Sequence, residues 1–157
     1  MSTGDIRNGP YATRAKEYVW STIRDAFPRG ITPTDIDGMV EINNCFFIFE
    51  GKTEGKQIET GQQLALKRLM LSLPPQRAVA VLGEHSSMER VNVATELRRL
   101  KIGWTDAHAM RWSPWCEPAC IANVAALFVR DAEAGRLRPD GWHEEVMHAQ
   151  RPFEEAS

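Results

Sequence analysis

Residues 33–52 read PTDIDGMVEINNCFFIFEGK, and this stretch predicts a β-hairpin whose open end carries acidic side chains. Asn43-Asn44 is the expected turn, because asparagine tolerates the positive φ angles that two-residue hairpin turns require. The Val, Ile and Phe residues on both sides of the turn are typical of strands. With a two-residue turn, Ile42 faces Cys45, and the numbers of every facing pair sum to 87.

This register brings charged side chains together at the open end of the hairpin. Asp37 faces Glu50, and Asp35 faces Lys52. All four side chains lie on one face of the sheet, because strand side chains alternate with a period of two. Two facing carboxylates about 5 Å apart repel each other by about 3 kcal/mol at an effective dielectric constant near 20. A divalent cation such as Mg²⁺ would relieve that repulsion and keep positions for water and a phosphate, which predicts a site for phosphodiester hydrolysis.

The alternative is a solvated strand edge whose surface ion pairs contribute little to stability. The run Phe46-Phe47-Ile48-Phe49 is apolar on both faces and predicts a strand that is buried on both sides. An acid at the end of such a strand is costly unless something binds it, which favours the metal site. A shift of the register by one residue would remove this argument.

Asp37, followed after twelve residues by Glu50-Gly51-Lys52, resembles the core motif of the PD-(D/E)XK nuclease superfamily. The spacing resembles that of Holliday-junction resolvases and related small phage nucleases, and the resemblance covers roughly residues 17–82. It implies an α/β, restriction-endonuclease-like core. In that core a central mixed β-sheet is flanked by helices in the order α-β-β-(β)-α-β, and a C-terminal helical extension follows.

The resemblance also implies the roles of the motif residues. Asp37 and Glu50 would bind Mg²⁺, with Mn²⁺ as a substitute, and the carbonyl of Gly51 would be a backbone ligand. Lys52 would orient or deprotonate the attacking water. The chain departs from the family pattern at Ile36, which stands where the motif has proline; the nearest proline is two residues before Asp35. The hairpin register favours Asp37 over Asp35 as the motif acid.

Two predicted helices flank the hairpin. Residues 11–27 carry an apolar stripe at helical spacing, with Glu17 outside it. Resolvase-like members of the superfamily carry an acid on the first helix, so Glu17 is a candidate for a second metal; the alternative is an exposed carboxylate. Residues 60–73 form the other helix, with Thr60 as N-cap. A glutamine near its start, Gln62 or Gln63, resembles a further polar motif of the family that touches the metal site or nucleic acid.

Positive side chains near this second helix are candidates for contacts with DNA phosphates, although a solvated helix face explains them equally well. They are Lys56, Lys67 and Arg68. Beyond the helix, residues 77–83 predict a buried strand, parallel to a hairpin strand through the intervening helix. A further strand in residues 28–34 would complete the family's usual three-strand meander; the alternative is a meander with fewer strands.

The second half of the chain gives weaker patterns. Residues 91–97 alternate like a strand, yet residues 95–100 also suit a helix. Three tryptophans at 104, 112 and 115 are interpreted as core residues in preference to a stacking platform for bases. Residues 118–134 predict an amphipathic helix that ends at Gly135. The expected organisation is a flexible arm (1–10), a single nuclease-like domain (11–135) and a polar C-terminal tail (136–157).

Composition limits the functional classes. The chain has 157 residues, enough for one domain with a real core, and a formal net charge of −2, which counts against a sequence-independent DNA coat. The chain contains no run of eighteen apolar residues, so the sequence predicts no membrane span. An odd count of three cysteines favours a reducing, cytoplasmic environment over a disulfide framework.

These observations together predict a Mg²⁺-dependent DNA endonuclease that is structure-selective for junctions or branched DNA. A resolvase-like role in DNA recombination or repair requires two active sites and therefore predicts a homodimer. One alternative is a non-catalytic module that binds nucleic acid or protein and retains the nuclease fold. A Mg²⁺-dependent hydrolase of small phosphates is a weaker alternative, because the chain has no Gly-rich phosphate loop.

Overall fold

A computed structural model describes residues 26–30, 36–58, 60–86 and 90–150. The chain divides into two compact units, residues 1–35 and residues 36–157. Of the first unit, the described part contains a short 3₁₀ turn, Pro28–Gly30. Most of the predicted helix 11–27 lies outside the described residues. A further strand was considered for residues 28–34. Residues 28–30 form this turn instead, and residues 31–34 lie outside the described residues.

The second unit has, in its described residues, five β-strands and three α-helices. In chain order they are β1 (Gly38–Ile42), β2 (Cys45–Thr53), α1 (Thr60–Ser72), β3 (Ala78–His85), β4 (Leu97–Thr105), β5 (Met110–Trp112), α2 (Ile121–Glu133) and α3 (Trp142–Gln150). A 3₁₀ turn, Pro139–Gly141, precedes α3. None of the helices in the described part of the chain combines the length and the hydropathy that a membrane span requires.

The β1–β2 hairpin has the predicted turn and register. Asn43 and Asn44 have φ angles of 52° and 61°, as a two-residue hairpin turn with two left-handed residues requires. Ile42 pairs with Cys45 and Gly38 with Phe49, so the facing residue numbers sum to 87. The side-chain amide of Asn43 also donates a hydrogen bond to the carbonyl of Ala132 at the end of α2, which ties the turn to the helical layer.

The strands form one mixed sheet in the order β1-β2-β3-β4-β5. Strand β3 runs parallel to β2, as predicted, because α1 returns the chain to the same end of the sheet. The other neighbouring pairs are antiparallel. The architecture is therefore α/β with a mixed sheet and flanking helices.

Apolar side chains cover both faces of this sheet. One face packs against α2 and α3 through a core that includes Phe47, Val81, Ile102, Phe128 and Trp142. The opposite face packs against α1 through a smaller cluster that contains Ile48, Met70 and Ala80. Strand β2 is thus buried on both sides, as its run of Phe and Ile residues predicts. Charged residues at its far end must therefore find partners.

The second half of the chain differs most from the sequence analysis. Residues 97–105 form the long strand β4, where the pattern suggested a strand ending at 97 or a helix over 95–100. Helix α2 begins at Ile121 because the preceding segment is tied to β4 instead. The backbone groups of Cys116 and Leu100 exchange two hydrogen bonds, and the N–H of Ala119 donates to the carbonyl of Arg98.

Residues 136–150 are not a polar tail, because several of their side chains belong to the core. Leu137, Trp142 and Val146 are essentially fully buried, with exposed fractions of 0, 0 and 1%. The indole N–H of Trp142 donates to Asp131, and the backbone N–H of Arg138 donates to the same carboxylate oxygen, each at 2.9 Å. A few apolar residues separated by polar ones are sufficient to anchor this segment to the core, because the side chain of each is essentially completely buried.

Candidate active site

Asp37 lies at the open end of the hairpin and is held by the next strand. Its Oδ2 accepts a hydrogen bond from the backbone N–H of Gly51 at 2.7 Å. The pairing of β1 and β2 ends at Gly38–Phe49, one residue before Asp37 and Glu50. This bond therefore extends the hairpin contact past its last backbone pair, and it fixes the aspartate beside the end of β2.

Glu50, Lys52 and Gln62 form a connected polar cluster beside Asp37. Lys52 Nζ lies 3.0 Å from Glu50 Oε1 and donates to Gln62 Oε1 at 2.7 Å. The amide nitrogen of Gln62 donates to the same oxygen of Glu50. Gln62 lies in the first turn of α1, so the cluster joins the hairpin to that helix. Two residues from one strand and one from a helix are thus brought to the point where Asp37 lies.

The Glu50 carboxyl is in an unfavourable environment for a negative charge. Glu50 is only 7% exposed, and this burial raises the pKa of its carboxyl above the ordinary value. The hydrogen bond from Lys52 opposes the rise, and the negative charge of Asp37 adds to it. The like-charge repulsion that the hairpin register predicts is therefore present in the structure, and a bound cation would relieve it.

The donor atoms at this point suit a hard divalent cation. Mg²⁺ usually takes one or two carboxylates from a protein and keeps several water ligands. Asp37 and Glu50 provide two carboxylates, and Gly51, whose N–H binds Asp37, is the next residue after Glu50. Among the described residues no group of three or more His, Cys, Asp or Glu side chains is placed to hold a metal. Two carboxylates are within the number that Mg²⁺ takes from a protein, whereas a structural zinc site requires four protein ligands.

The remaining predicted contact residues are distributed around α1. The structure selects Gln62 over Gln63 as the partner of Glu50 and Lys52. Gln63, Lys56 and Lys67 line a cleft beside the cluster. Arg68 is exposed on α1 and is not among the residues that line the cleft. Glu17 and Asp35 lie outside the described residues.

Arg99 and Lys101 in the cleft are functional candidates that the sequence analysis did not identify, whereas Trp112 and Trp115 were considered there as an alternative stacking platform. The cleft has a volume of about 600 Å³ and is lined on the β4–β5 side by Arg99, Lys101, Trp112 and Trp115. The signal was present in the alternation of the apolar residues Leu100, Ile102 and Trp104 with Arg99, Lys101 and Gly103. It was missed because β4 itself was not recognised as a strand.

Trp104 pairs with Arg111 and Gly103 pairs with Trp112, so strand alternation directs Trp104 and Trp112 to opposite faces of the sheet. Trp104 packs against the core on the α2 and α3 face, whereas Trp112 and Trp115 line the cleft. The interpretation as core residues therefore holds for Trp104 and for Trp112, which packs against the smaller cluster and also lines the cleft, whereas Trp115 lines the cleft.

No protein-family model matches this chain, and neither a curated protein nor a solved structure matches it.

Proposed function

We propose that this chain is a Mg²⁺-dependent DNA endonuclease with an active site of the PD-(D/E)XK type. The observation that carries the proposal is the cluster of Asp37, Glu50, Lys52 and Gln62. Residues that are up to 25 positions apart in the sequence meet at one point. These two acids, one ammonium and one amide at the end of a buried strand resemble the residue types of the family motif.

Each residue of the cluster has a role that its contacts support. Asp37 and Glu50 would hold Mg²⁺, with the Gly51 carbonyl as a further ligand. When bound, the metal would offset charge on the phosphate and lower the pKa of a coordinated water. Lys52, whose ammonium is 3.0 Å from Glu50, is placed to orient the attacking water and to offset negative charge that develops on the phosphate. Gln62 holds both Glu50 and Lys52 in position.

One observation favours the alternative of a non-catalytic binding module. Glu50 Oε1 already has two donors, Lys52 and Gln62, so the carboxylate is satisfied in part without a metal. Such a module would bind nucleic acid equally well with or without a divalent cation and would not cut it.

The experiment that decides between the two is a cleavage panel on linear, nicked, flapped and four-way DNA, each with Mg²⁺, Mn²⁺ or EDTA. We expect cleavage that requires the metal and is lost in Asp37→Asn. Binding without cleavage in every metal condition would favour the binding module. If a four-way junction is cut with two symmetric incisions, the resolvase-like role requires a dimer, which analytical ultracentrifugation of the same sample would measure.

A further inference from the structure

The cleft next to the candidate active site carries a surplus of positive charge. Five basic side chains line it, namely Lys52, Lys56, Lys67, Arg99 and Lys101, against one acid, Glu84. The chain as a whole has a net charge of −2, so this local surplus is opposite in sign to the overall charge. A concave site of one sign concentrates ions of the opposite sign. The cleft is therefore suited to an anionic ligand.

Strand register relates the cleft to the candidate metal ligands. Glu50 pairs with Leu82, and Leu82 pairs with Lys101, so these three residues form one row across β2, β3 and β4. Lys52, Glu84 and Arg99 form the adjacent row. Paired residues project from the same face of the sheet, and neighbouring strands are about 4.8 Å apart, so the Cα of Lys101 lies about 10 Å from that of Glu50. The positive charges of Lys101 and Arg99 therefore lie close to the candidate metal ligand Glu50.

The two cations of β4 are held in place by aromatic rings. The Arg99 guanidinium lies 4.1 Å from the centre of the Trp115 ring and donates to Glu84 at 2.9 Å. The Lys101 ammonium lies 4.9 Å from the Trp112 ring and 5.0 Å from the Trp115 ring. Rings in these positions favour cations over neutral groups and reduce the conformational freedom of the side chains.

Lys101 differs from Arg99 in lacking a carboxylate partner within the described part of the chain. Burial lowers the pKa of its ammonium, and the adjacent positive charge of Arg99 lowers it further. The protein thus keeps two neighbouring cations in a partly buried place, with a carboxylate for only one of them. An anion bound between them would remove this electrostatic cost.

The size and the apolar wall of the cleft limit the ligand. A volume of about 600 Å³ lies within the range of about 300–1,000 Å³ that is typical of small-ligand pockets. It accommodates a nucleotide, whereas a paired double helix would remain outside. Leu66, Met110 and Trp112 provide apolar surface beside the cations, and a base requires such surface once it leaves its stack.

We propose that this cleft binds one unpaired nucleotide of the substrate strand next to the scissile phosphate. Its phosphate contacts Lys101 and Arg99, and its base lies against the apolar wall. The inference rests on the proposed nuclease function and specifies the substrate class, which is DNA with an unpaired strand, such as a flap, a single strand or a frayed end. It also explains why a protein without net positive charge can bind DNA locally.

The test measures binding in EDTA, where no cleavage interferes. Fluorescently labelled oligo-dT and a blunt hairpin duplex are titrated at fixed salt with the wild type, Lys101→Met, Lys101→Arg and Arg136→Met. Arg136→Met is the matched control, since it removes one exposed positive charge outside the cleft. We expect single-strand binding to weaken by about tenfold in Lys101→Met, as for the loss of one charged hydrogen bond. Lys101→Arg and the control should bind like the wild type.

The salt dependence gives a second readout. Loss of one phosphate contact on a single strand should reduce the slope of log K against log salt by about 0.7 in Lys101→Met. Equal binding of single-stranded and blunt duplex DNA by the wild type, or unchanged binding and slope in Lys101→Met, would overturn the assignment of the cleft. Circular dichroism of each variant shows that it is folded.

Failure of the nuclease proposal is distinguishable from failure of this inference. Single-strand binding that depends on Lys101, without cleavage in any metal, supports the cleft and overturns the nuclease. Metal-dependent cleavage at the same rate on blunt and flapped DNA, unchanged in Lys101→Met, supports the nuclease and overturns the cleft.

Discussion

The Oδ2 atom of Asp37 accepts a hydrogen bond from the backbone N–H of Gly51 at 2.7 Å, across the open end of the hairpin. This bond places Asp37 beside Glu50. The negative charge of Asp37 raises the pKa of the Glu50 carboxyl, in addition to the effect of burial. Two acids are thereby held together at the end of a strand that is buried on both faces. The consequences of this arrangement can be measured.

Divalent metal should stabilise the folded protein. Mg²⁺ or Mn²⁺ at a hundred times its dissociation constant should add about 2.7 kcal/mol to the free energy of unfolding and raise the melting temperature. Asp37→Asn should remove most of that rise, because it removes one ligand charge while the amide oxygen can still accept from Gly51. Asp140→Asn, at an exposed turn residue, is the matched control. A wild-type melting curve that does not move with either metal would show that the site is wrong.

Lys52 should act on the reaction rate and not on DNA affinity. Lys52→Ala should lower the single-turnover cleavage rate by about a hundredfold or more, while the dissociation constant for DNA changes little, because the interaction is made in the transition state. Lys52→Arg should not restore the rate fully, since a planar guanidinium does not replace a compact ammonium.

The matched control for Lys52 is Lys56→Ala. Lys56 also lines the cleft, but no ion pair or hydrogen bond of its ammonium is present among the described residues. Its loss should weaken binding in a way that added salt mimics. Equal cleavage rates for wild type and Lys52→Ala would end the proposed mechanism.

Gln62 should matter and its neighbour Gln63 should not. Gln62→Ala removes a donor to Glu50 and an acceptor for Lys52. Loss of such an orienting residue typically costs about 10- to 100-fold in activity or metal affinity. Gln63→Ala keeps both contacts and tests the effect of a mutation at the same turn of α1. Parallel titrations with Mg²⁺ and cleavage assays compare the two variants, and equal losses would argue against the observed pairing.

The stability of the metal-free protein should depend on the Glu50 proton. The pKa of Glu50 is raised in the folded state, so folding favours the protonated form. As pH rises from the unfolded-state value of about 4.3 through the raised folded-state pKa, the wild type should lose stability relative to Glu50→Gln. Below the unfolded-state value the difference should be constant. Urea unfolding in EDTA across this pH range measures it.

Added Mg²⁺ should oppose this loss in the wild type and have no effect on Glu50→Gln, because proton and metal compete for the same carboxylate. If the wild type instead gains stability relative to Glu50→Gln as pH rises, the contacts from Lys52 and Gln62 outweigh the burial of the charge.

Gly83 should not tolerate a side chain. A Cβ at this position of β3 would lie 2.9 Å from carbon atoms of both Leu97 and Phe49. Both side chains are packed against the sheet, so Gly83→Ala should destabilise the protein by about 1–3 kcal/mol through overpacking. Gly61→Ala is the control, since Gly61 is on the exposed face of α1 with open space around it. Urea denaturation of both variants measures the difference, and equal stabilities would contradict the close packing.

The hairpin and its neighbour strand were predictable because the signals are local. An Asn-Asn turn imposes its own φ angles, and the register of facing residues follows directly from the turn length. Strands β2 and β3 are apolar runs on either side of a more polar segment. This order predicts a helix that connects two parallel strands. For these elements the sequence pattern and the observed structure agree.

Strand β4 was not predictable by the same means. Its residues Arg99 and Lys101 face the cleft, so only alternate positions are apolar and the pattern is short. The burial of Trp142 and its bond to Asp131 likewise depend on packing of α3 against α2, which no local pattern specifies.

The sequence by itself therefore determined the hairpin register and, through it, the proximity of Asp37 and Glu50. Only the tertiary structure decided that Gln62, and not Gln63, joins them, because the rotation of α1 over the sheet sets which side chain points inward. It also decided that Lys101 lies in the same row as Glu50. That relation requires β3 to pair with both neighbours in one register, and such long-range pairing depends on the packing of the whole sheet and not on local sequence.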